Sequence, residues 1–441
     1  MLTQLRATLV QRLIFSLYLE RFIQYGPFPF ILSLPPNNMI EAPHTTSRTS
    51  VLPVEILEAI MDQLHTDLRM LGICGLVCLE WLIRSRYHIF SAVQLSPWRA
   101  RHFFELCRTK HCTFVNCVNC IEVDGALATE EICQSDDLEL PFHNILSMSS
   151  SFLAHIESLR IRNVNWTLLP PSDQDQLRQR LASFSRLRTL EFDNVTFQDL
   201  REVVRITSCL PPLSHITVNI EFSKYVEHAI SSATALTLPS NLKVLRLGSD
   251  EAIPVLLNTT FKDSRINRLI LDGVKLWHIE YIGCGLQSLR TVLRHLQINF
   301  SRGEDHSVGI SDLARLDFTH HTNLRSLHFG GIVLNHQTIS GLERGLSHLK
   351  IQPMRCQMKE VNLGLAVESE SLIRQIGWCS LKRALVAKIQ CRLNLDISIY
   401  LSSAGSELVT DEVVENLIQT ELKGLRNNGG IGIRVNDRTI D

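Results

Sequence analysis

Between residues 241 and 271 the chain reads Asn241-Leu242-Lys243-Val244-Leu245-Arg246-Leu247 and then, one interval later, Ile266-Asn267-Arg268-Leu269-Ile270-Leu271. Both stretches share one frame, apolar-x-x-apolar-x-apolar. The last two apolar residues are two positions apart, so on an extended strand they point to the same side. The frame recurs at Val118/Ile121/Val123, Ile156/Leu159/Ile161, Leu187/Leu190/Phe192 and Leu213/Ile216/Val218. It returns at Leu293/Leu296/Ile298, Leu324/Leu327/Phe329 and Met358/Val361/Leu363. First positions lie from 24 residues apart (242 to 266) to 38 apart (118 to 156). The segments between, such as 174–184 and 339–349, carry helix-like apolar spacing. A strand followed by a helix, repeated, buries its apolar face only if neighbours stack. The expectation is an α/β chain with a curved parallel sheet and helices outside. A non-repeating α/β domain with strands at similar intervals is the alternative.

Side chains flanking the inward positions are expected on the opposite, concave face. They are Arg160, Glu191, Thr217, Arg246, Arg268, Gln297, His328 and Asn362. Together they form a candidate substrate-binding surface, and each taken singly also suits an ordinary solvated sheet face. Neither sign of charge dominates this set, so the chemistry of a substrate is not legible in it. The frame fades after Leu363. Thr410-Asp411-Glu412 followed by Val413, Val414, Leu417, Ile418, Leu422 and Leu425 reads as a capped amphipathic helix. Gly429-Gly430 then turn into a last strand, Ile431–Val435, and 406–441 is expected to be a C-terminal cap.

Nearer the N-terminus the pattern is different. Pro53 suits the first position of a helix, and Glu55 and Glu58 complement the positive end of its dipole. Ile56, Ile60 and Leu64 recur every four residues, with Leu57 beside them. Thr66-Asp67 caps a second helix carrying Leu68 and Leu71, and Leu76 to Leu82 opens a third, followed by Ser85 to Phe90. Three short helices in about 45 residues carry more apolar surface than so small a unit can bury, which implies a docking element that shares its core.

The anchors Leu52-Pro53-x-Glu55-Ile56-Leu57, Ile60, Leu64, Asp67-Leu68, Leu71, Cys74, Leu76-Val77-Cys78 and Trp81 resemble the F-box motif, and Ser85 to Phe90 resembles its large fungal branch. Where that family usually places a basic residue after Val-Cys, this chain has Leu79-Glu80. The resemblance implies docking onto a Skp1-type adaptor of a cullin-RING ubiquitin ligase. Leu52, Pro53, Ile56 and Leu57 would head that contact. Ile60, Leu64, Leu68, Leu71, Leu76, Val77 and Trp81 would extend it or hold the helices together. The body, in turn, resembles the divergent leucine-rich repeats found behind F-boxes, which implies an irregular solenoid that binds a protein target.

Composition agrees with a multi-part chain. Its 441 residues exceed one ordinary domain, and 45% hydrophobic against 20% charged residues allows a sizeable core. A net charge of −1 argues against a dedicated nucleic-acid binder and against polybasic membrane attachment. The 12 cysteines are scattered and read as reduced thiols of an intracellular protein, cytoplasmic or nuclear. The expected division is a poorly ordered leader and linker over 1–49, an F-box over 50–98, the repeat domain over 99–405 and the cap over 406–441.

The leader holds no clean span of about 20 apolar residues, since Arg12, Glu20, Arg21, Pro27 and Pro29 interrupt it. It reads as a weakly amphipathic extension. A secretory signal is the other reading, and sequons at Asn165, Asn194, Asn258 and Asn299 would suit an extracellular repeat protein. Cys107, His111, Cys112, Cys117 and Cys120 cluster, but Cys117 and Cys120 flank or enter a strand and should face opposite sides, so no metal is expected. No phosphate loop, zinc-protease or nucleophile-elbow motif occurs, and no cofactor or catalytic role is expected. The favoured function is a non-catalytic substrate receptor. A protein-binding scaffold without a ubiquitin-ligase role is the alternative.

Overall fold

A computed structural model describes residues 53–95, 97–109, 112, 114–125, 150–210, 213–223, 238–257, 265–275, 277–301, 313, 315–334, 341–342, 344–345, 358–367, 375, 394–401 and 431–436. The leader, Leu52 and the helix expected from Thr410 lie outside the described residues. The chain forms two compact units, Met1–Arg160 with Ser183–Arg186, and Ile161–Ala182 with Leu187–Asp441.

In the first unit three helices follow one another: α1 (Val54–Gln63), α2 (Leu68–Cys74) and α3 (Leu79–Ser91). Pro53 stands one position earlier than its sequence suggests. It is the N-cap of α1, and its carbonyl accepts the N–H groups of Ile56 and Leu57 at 3.1 and 3.3 Å. Asp67 caps α2, its Oδ1 accepting the Met70 N–H at 2.9 Å, which satisfies one of the donors a helix start leaves open. The segment read as a helix and an extension is one continuous α3. Met61, Leu71 and Cys74 form the small core, with Leu64, Trp81 and Ile89 packed against it.

After α3 come β1 (Ala92–Leu95), α4 (Pro97–Arg108), a single 3₁₀ turn at Val115–Cys117, β2 (Cys120–Asp124) and a short α5 (Ser150–Leu153). Strands β1 and β2 pair in parallel, Ala92 with Cys120 through Leu95 with Val123. Aromatic rings gather beside them: Phe90 stacks on Phe114 at 4.4 Å, and Phe103 meets Phe104, Phe114 and Phe152. The contacts thus extend the first unit well past residue 98.

The second unit is α/β with ten strands hydrogen-bonded in strict sequence order. Strand β3 (Ser158–Arg162) enters it at Ile161. Then follow α6 (Pro171–Leu181), β4 (Thr189–Phe197), α7 (Leu200–Ser208), β5 (His215–Phe222), β6 (Val244–Leu247) and α8 (Ala252–Leu257). Next are β7 (Arg268–Val274), α9 (His278–Ser288), β8 (His295–Phe300), β9 (Ser326–Leu334), β10 (Glu360–Val367), β11 (Asn394–Leu401) and β12 (Ile431–Asn436). From β4 onward every neighbouring pair is parallel. The sheet does not stop where the sequence frame fades. Strands β11 and β12 continue it, Val361 facing Leu395 and Leu395 facing Ile431. The strand assigned to a terminal cap is therefore the last strand of the sheet.

Two register rows make the core. Leu190, Ile216, Leu245, Leu269, Leu296, Leu327 and Val361 form one, and Phe192, Val218, Leu247, Leu271, Ile298, Phe329 and Leu363 the other, all buried. Each such side chain contributes roughly 1.5–3 kcal/mol on leaving water. Helices close this side: α7 packs on β4 and α6, and α8 on β5 and α9. All six residues of α8 are buried, which suits a helix that is apolar all round.

A buried polar knot ties the helices together. Trp166 Nε1 donates to Glu202 Oε2 at 2.8 Å, and Arg178 Nη1 donates to Glu202 Oε1 at 3.0 Å. Likewise, His278 is fully buried. The Lys275 N–H donates to its Nδ1 at 3.0 Å and its Nε2 donates to the Asp250 carbonyl at 2.9 Å, so the ring is held neutral. Burial holds this imidazole down at about 4.

Candidate functional site

In the first unit the helices have two chemically similar sides. Leu57, Met61, Leu71 and Cys74 are buried. Yet Ile56 and Ile60 on α1, Leu68, Met70 and Ile73 on α2, Val77 in the link, and Leu79, Ile83 and Tyr87 on α3 are all exposed. Ile56 and Ile60 are one turn apart, as are Leu79, Ile83 and Tyr87, so two helices each present an outward apolar stripe. Ile83 is 63% exposed and Leu79 is 70% exposed. Nine large apolar side chains thus stand exposed on α1–α3 and the link between α2 and α3.

An ion-pair clamp fixes these stripes. Asp62 Oδ1 on α1 accepts Arg84 Nε at 3.0 Å, Arg84 Nη2 at 2.6 Å and His88 Nε2 at 2.8 Å, all from α3. The Arg84 hydrogen bonds, then that of His88, hold the Asp62 carboxyl below its ordinary range. The Arg84 guanidinium lies 5.3 Å from the Tyr87 ring centre.

Of the adaptor-contact residues expected from sequence, Ile56, Ile60, Leu68 and Val77 are exposed, as is Pro53. Leu57 and Leu71 are buried, and Leu64 and Trp81 pack on the core, so these four hold the helices together and do not face outward. Leu76 is half-buried. Sequence reasoning missed Ile73, Leu79, Ile83 and Tyr87. Their i, i+4, i+8 spacing from Leu79 was visible, but a second apolar stripe on α3 reads as core until the first is seen to fill it.

In the second unit the sheet face opposite the buried rows carries mostly half-buried side chains. Glu191, Thr217, Arg246, Ile270, Gln297, His328 and Asn362 occupy one register row. Arg268 lies on the same face, one row nearer the strand starts, beside Val244 and His295. Arg160 belongs to the first unit, where it pairs with Glu122 at 3.8 Å. The Ile270 side chain interrupts an otherwise polar row.

Farther along the strands an unforeseen arrangement appears twice. Asp193 accepts Arg162 Nε at 3.0 Å and Asn219 Nδ2 at 2.9 Å. Asp272 accepts Arg246 Nε at 2.6 Å and Asn299 Nδ2 at 2.5 Å. Each aspartate is thus gripped by an arginine from the strand before and an amide from the strand after. The next residues, Asn194 and Gly273, have left-handed backbones, as do Asn163 and Gly331. At β4, β7 and β9 the ladder slips at these positions, so each is a β-bulge. A Cβ at Gly331 would collide with the Phe300 carbonyl oxygen. The signal lay in Ile161-Arg162-Asn163-Val164, Phe192-Asp193-Asn194-Val195, Leu271-Asp272-Gly273-Val274 and Phe329-Gly330-Gly331-Ile332. Asn and Gly tolerate the left-handed region, so they recur there.

Among the described residues no three His, Cys, Asp or Glu side chains converge as a metal site needs. The cysteines described are all free. Cys117 ends the 3₁₀ turn and Cys120 begins β2, so one strand does not carry both. A hydrogen bond from the Cys107 thiol is the main cause that lowers the Cys112 thiol to about 7, while Cys107 is pushed up. No helix among the described residues is long and apolar enough to cross a membrane. No protein-family model matches the chain, and no curated protein matches it.

Proposed function

We propose that this chain is a non-catalytic substrate-receptor subunit of a Skp1-cullin-F-box type ubiquitin ligase, in which α1–α3 form an F-box and the sheet unit an irregular leucine-rich-repeat-like solenoid. The observation that carries the reading is the outward apolar set on α1–α3. Ile56, Ile60, Leu68 and Val77 stand at F-box anchor positions and are exposed although the unit already has its own core. The sheet unit supports the other half. It completes its core with its own helices and leaves a polar face for a protein target. Bound to both, the chain raises the local concentration of a target lysine near the ubiquitin carrier, and the transfer chemistry belongs to other subunits. On this reading the protein works in the cytoplasm or nucleus.

Co-purification of the full chain with a Skp1-type adaptor tests it, with Ile56→Asp/Ile83→Asp as the variant. Wild-type capture lost in a variant that keeps its circular-dichroism spectrum is the expected result. A folded wild type that stays unbound overturns the reading. One observation favours the scaffold alternative: Leu79 and Glu80 occupy exposed positions where the family usually carries a basic residue. Adaptor binding with no cullin-dependent turnover of any bound protein would select that alternative.

A further inference from the structure

We propose that the N-terminal edge of the sheet in the second unit is a docking site for an acidic, carboxylate-rich stretch of a partner polypeptide. The proposal rests on reading the sheet unit as the partner-binding half of the molecule, and not on the adaptor contact.

One backbone row lines this edge. Each strand from β4 to β10 is preceded by a buried apolar residue and then by a polar one: Arg188, Ser214, Lys243, Asn267, Arg294, Arg325 and Lys359. The carbonyl of each accepts two N–H groups from the next in the series. Ser214 and His215 donate to Arg188, Lys243 and Val244 to Ser214, and so on to Lys359 and Glu360 on Arg325, at 2.7–3.1 Å. These hydrogen bonds fix seven residues, far apart in sequence, as a single line along the sheet edge. Five of the seven are cations, none is an acid, and Arg268 adds a sixth cation one position inward.

Most of the unit's other described cations are paired, and the exceptions, Arg180, Arg265 and Arg290, stand outside the row. Arg162, Arg178, Arg246, Lys275 and Arg315 of the same unit each have a carboxylate partner. Arg188, Lys243, Arg268, Arg294, Arg325 and Lys359 have none among the described residues. Arg188, Lys243, Arg268, Arg294 and Lys359 are exposed. Two imidazoles record the resulting field. His215 is depressed by burial and then by Lys243 and Arg268. His295 is depressed by burial and then by Arg268 and Arg325, with Arg294 adding to it against Glu360. In the row that holds these imidazoles Glu360 is the one acid on β4 to β10. In a chain of net charge −1, five aligned cations and Arg268 beside them, without carboxylate partners among the described residues, are a local concentration that composition conceals.

Geometry selects the ligand. Adjacent strands lie about 4.8 Å apart, so the seven positions span about 29 Å. An extended polypeptide rises about 3.3 Å per residue, so about nine residues cover the row. Single-stranded nucleic acid binding relies on aromatic platforms beside the cations, and neither Tyr87 nor Trp277, the exposed large aromatics among the described residues, stands in these rows. The adjoining, half-buried Gln297 and His328 instead carry polar atoms suited to a peptide backbone.

The test uses the full chain and a fluorescein-labelled peptide of nine alternating Glu and Asp residues, read by fluorescence polarisation. A nine-residue Ser/Gly peptide and a nine-nucleotide single strand serve as competitors. Binding of the acidic peptide is expected, weakened by about tenfold between low and 300 mM salt. The variant Arg294→Glu/Arg325→Glu/Lys359→Glu should lose at least about tenfold, while Arg69→Glu/Arg180→Glu should bind as wild type. No binding by a folded wild type overturns the proposal, as does equal loss in both variants or tighter binding of the oligonucleotide. Co-purification of the triple variant with the adaptor separates the two readings. If the wild type binds the peptide and captures no adaptor, the receptor reading falls and this one stands.

Discussion

The helical element and the sheet unit handle apolar residues in opposite ways. In α1–α3 apolar side chains stand both in the core and in water, and Ile56 and Leu57 are neighbours that point to different sides. In the sheet unit the two inward rows are buried from β4 to β10, and the opposite face carries amides, carboxylates and cations. Among the described residues, exposed large apolar side chains cluster on the helices, whereas in the sheet unit they are isolated, at Leu168 and Trp277. In the sheet unit the inward rows are closed by the unit's own helices. The helices have a core of a few residues and leave nine large apolar side chains exposed.

The largest expected effect breaks the comparison most directly. Phe329→Ala removes a fully buried ring from an inner row and should lower stability by about 3–5 kcal/mol. Ile83→Ala, on the outer face of α3, should change it by no more than about 0.5 kcal/mol. Urea unfolding of both variants checks this, and a large loss from Ile83→Ala would mean that its stripe is core after all.

Acid should act on the sheet unit next. His278 sits at about 4 in the fold against 6.5 when free. Unfolding therefore takes up a proton, so this residue's contribution is complete above pH 6.5 and declines as pH falls towards about 4. The full loss is on the order of 3 kcal/mol. The urea midpoint of the wild type should fall over that interval, and less steeply in His278→Gln. Identical pH profiles would remove His278 as the cause.

A smaller effect sharpens the same contrast at one backbone position. Gly331→Ala puts a Cβ on a left-handed residue and against the Phe300 carbonyl. It should lower stability by about 2 kcal/mol. Gly283 on α9 has open space around its missing Cβ, so Gly283→Ala should be neutral or stabilising by up to about 1 kcal/mol. Thermal melts of the pair give the comparison.

Much of the strand framework was legible in residues alone. The frame at Leu242/Leu245/Leu247 and its copies marks the inward positions of β3 to β10, because alternation and burial are written at a spacing of two. The helix starts at Pro53 and Asp67 were legible within one residue for a similar local reason. The bulges were less so, since an Asn or Gly after a strand reads as a turn until the next strand is seen to continue past it. Strand β11 escaped the frame, and β12 was expected only as a lone last strand, because the frame's first apolar position is Arg392 before one and Asn428 before the other.

Short-range periodicity alone therefore fixes strands β2 to β10 and which of their residues point inward, but it did not reveal β1, α4 or β11. It also determined that the α1–α3 element carries more apolar surface than it can bury. Tertiary contacts settle which of Ile56, Leu57, Leu71 and Ile83 fill the core, and that Arg294, Arg325 and Lys359 share one row without a carboxylate partner among the described residues while Arg162 and Arg246 are neutralised. The physical reason is that pairing and partition depend on register between segments some 25 to 35 residues apart. Composition averages over that register, and the hydrogen-bond ladder fixes it.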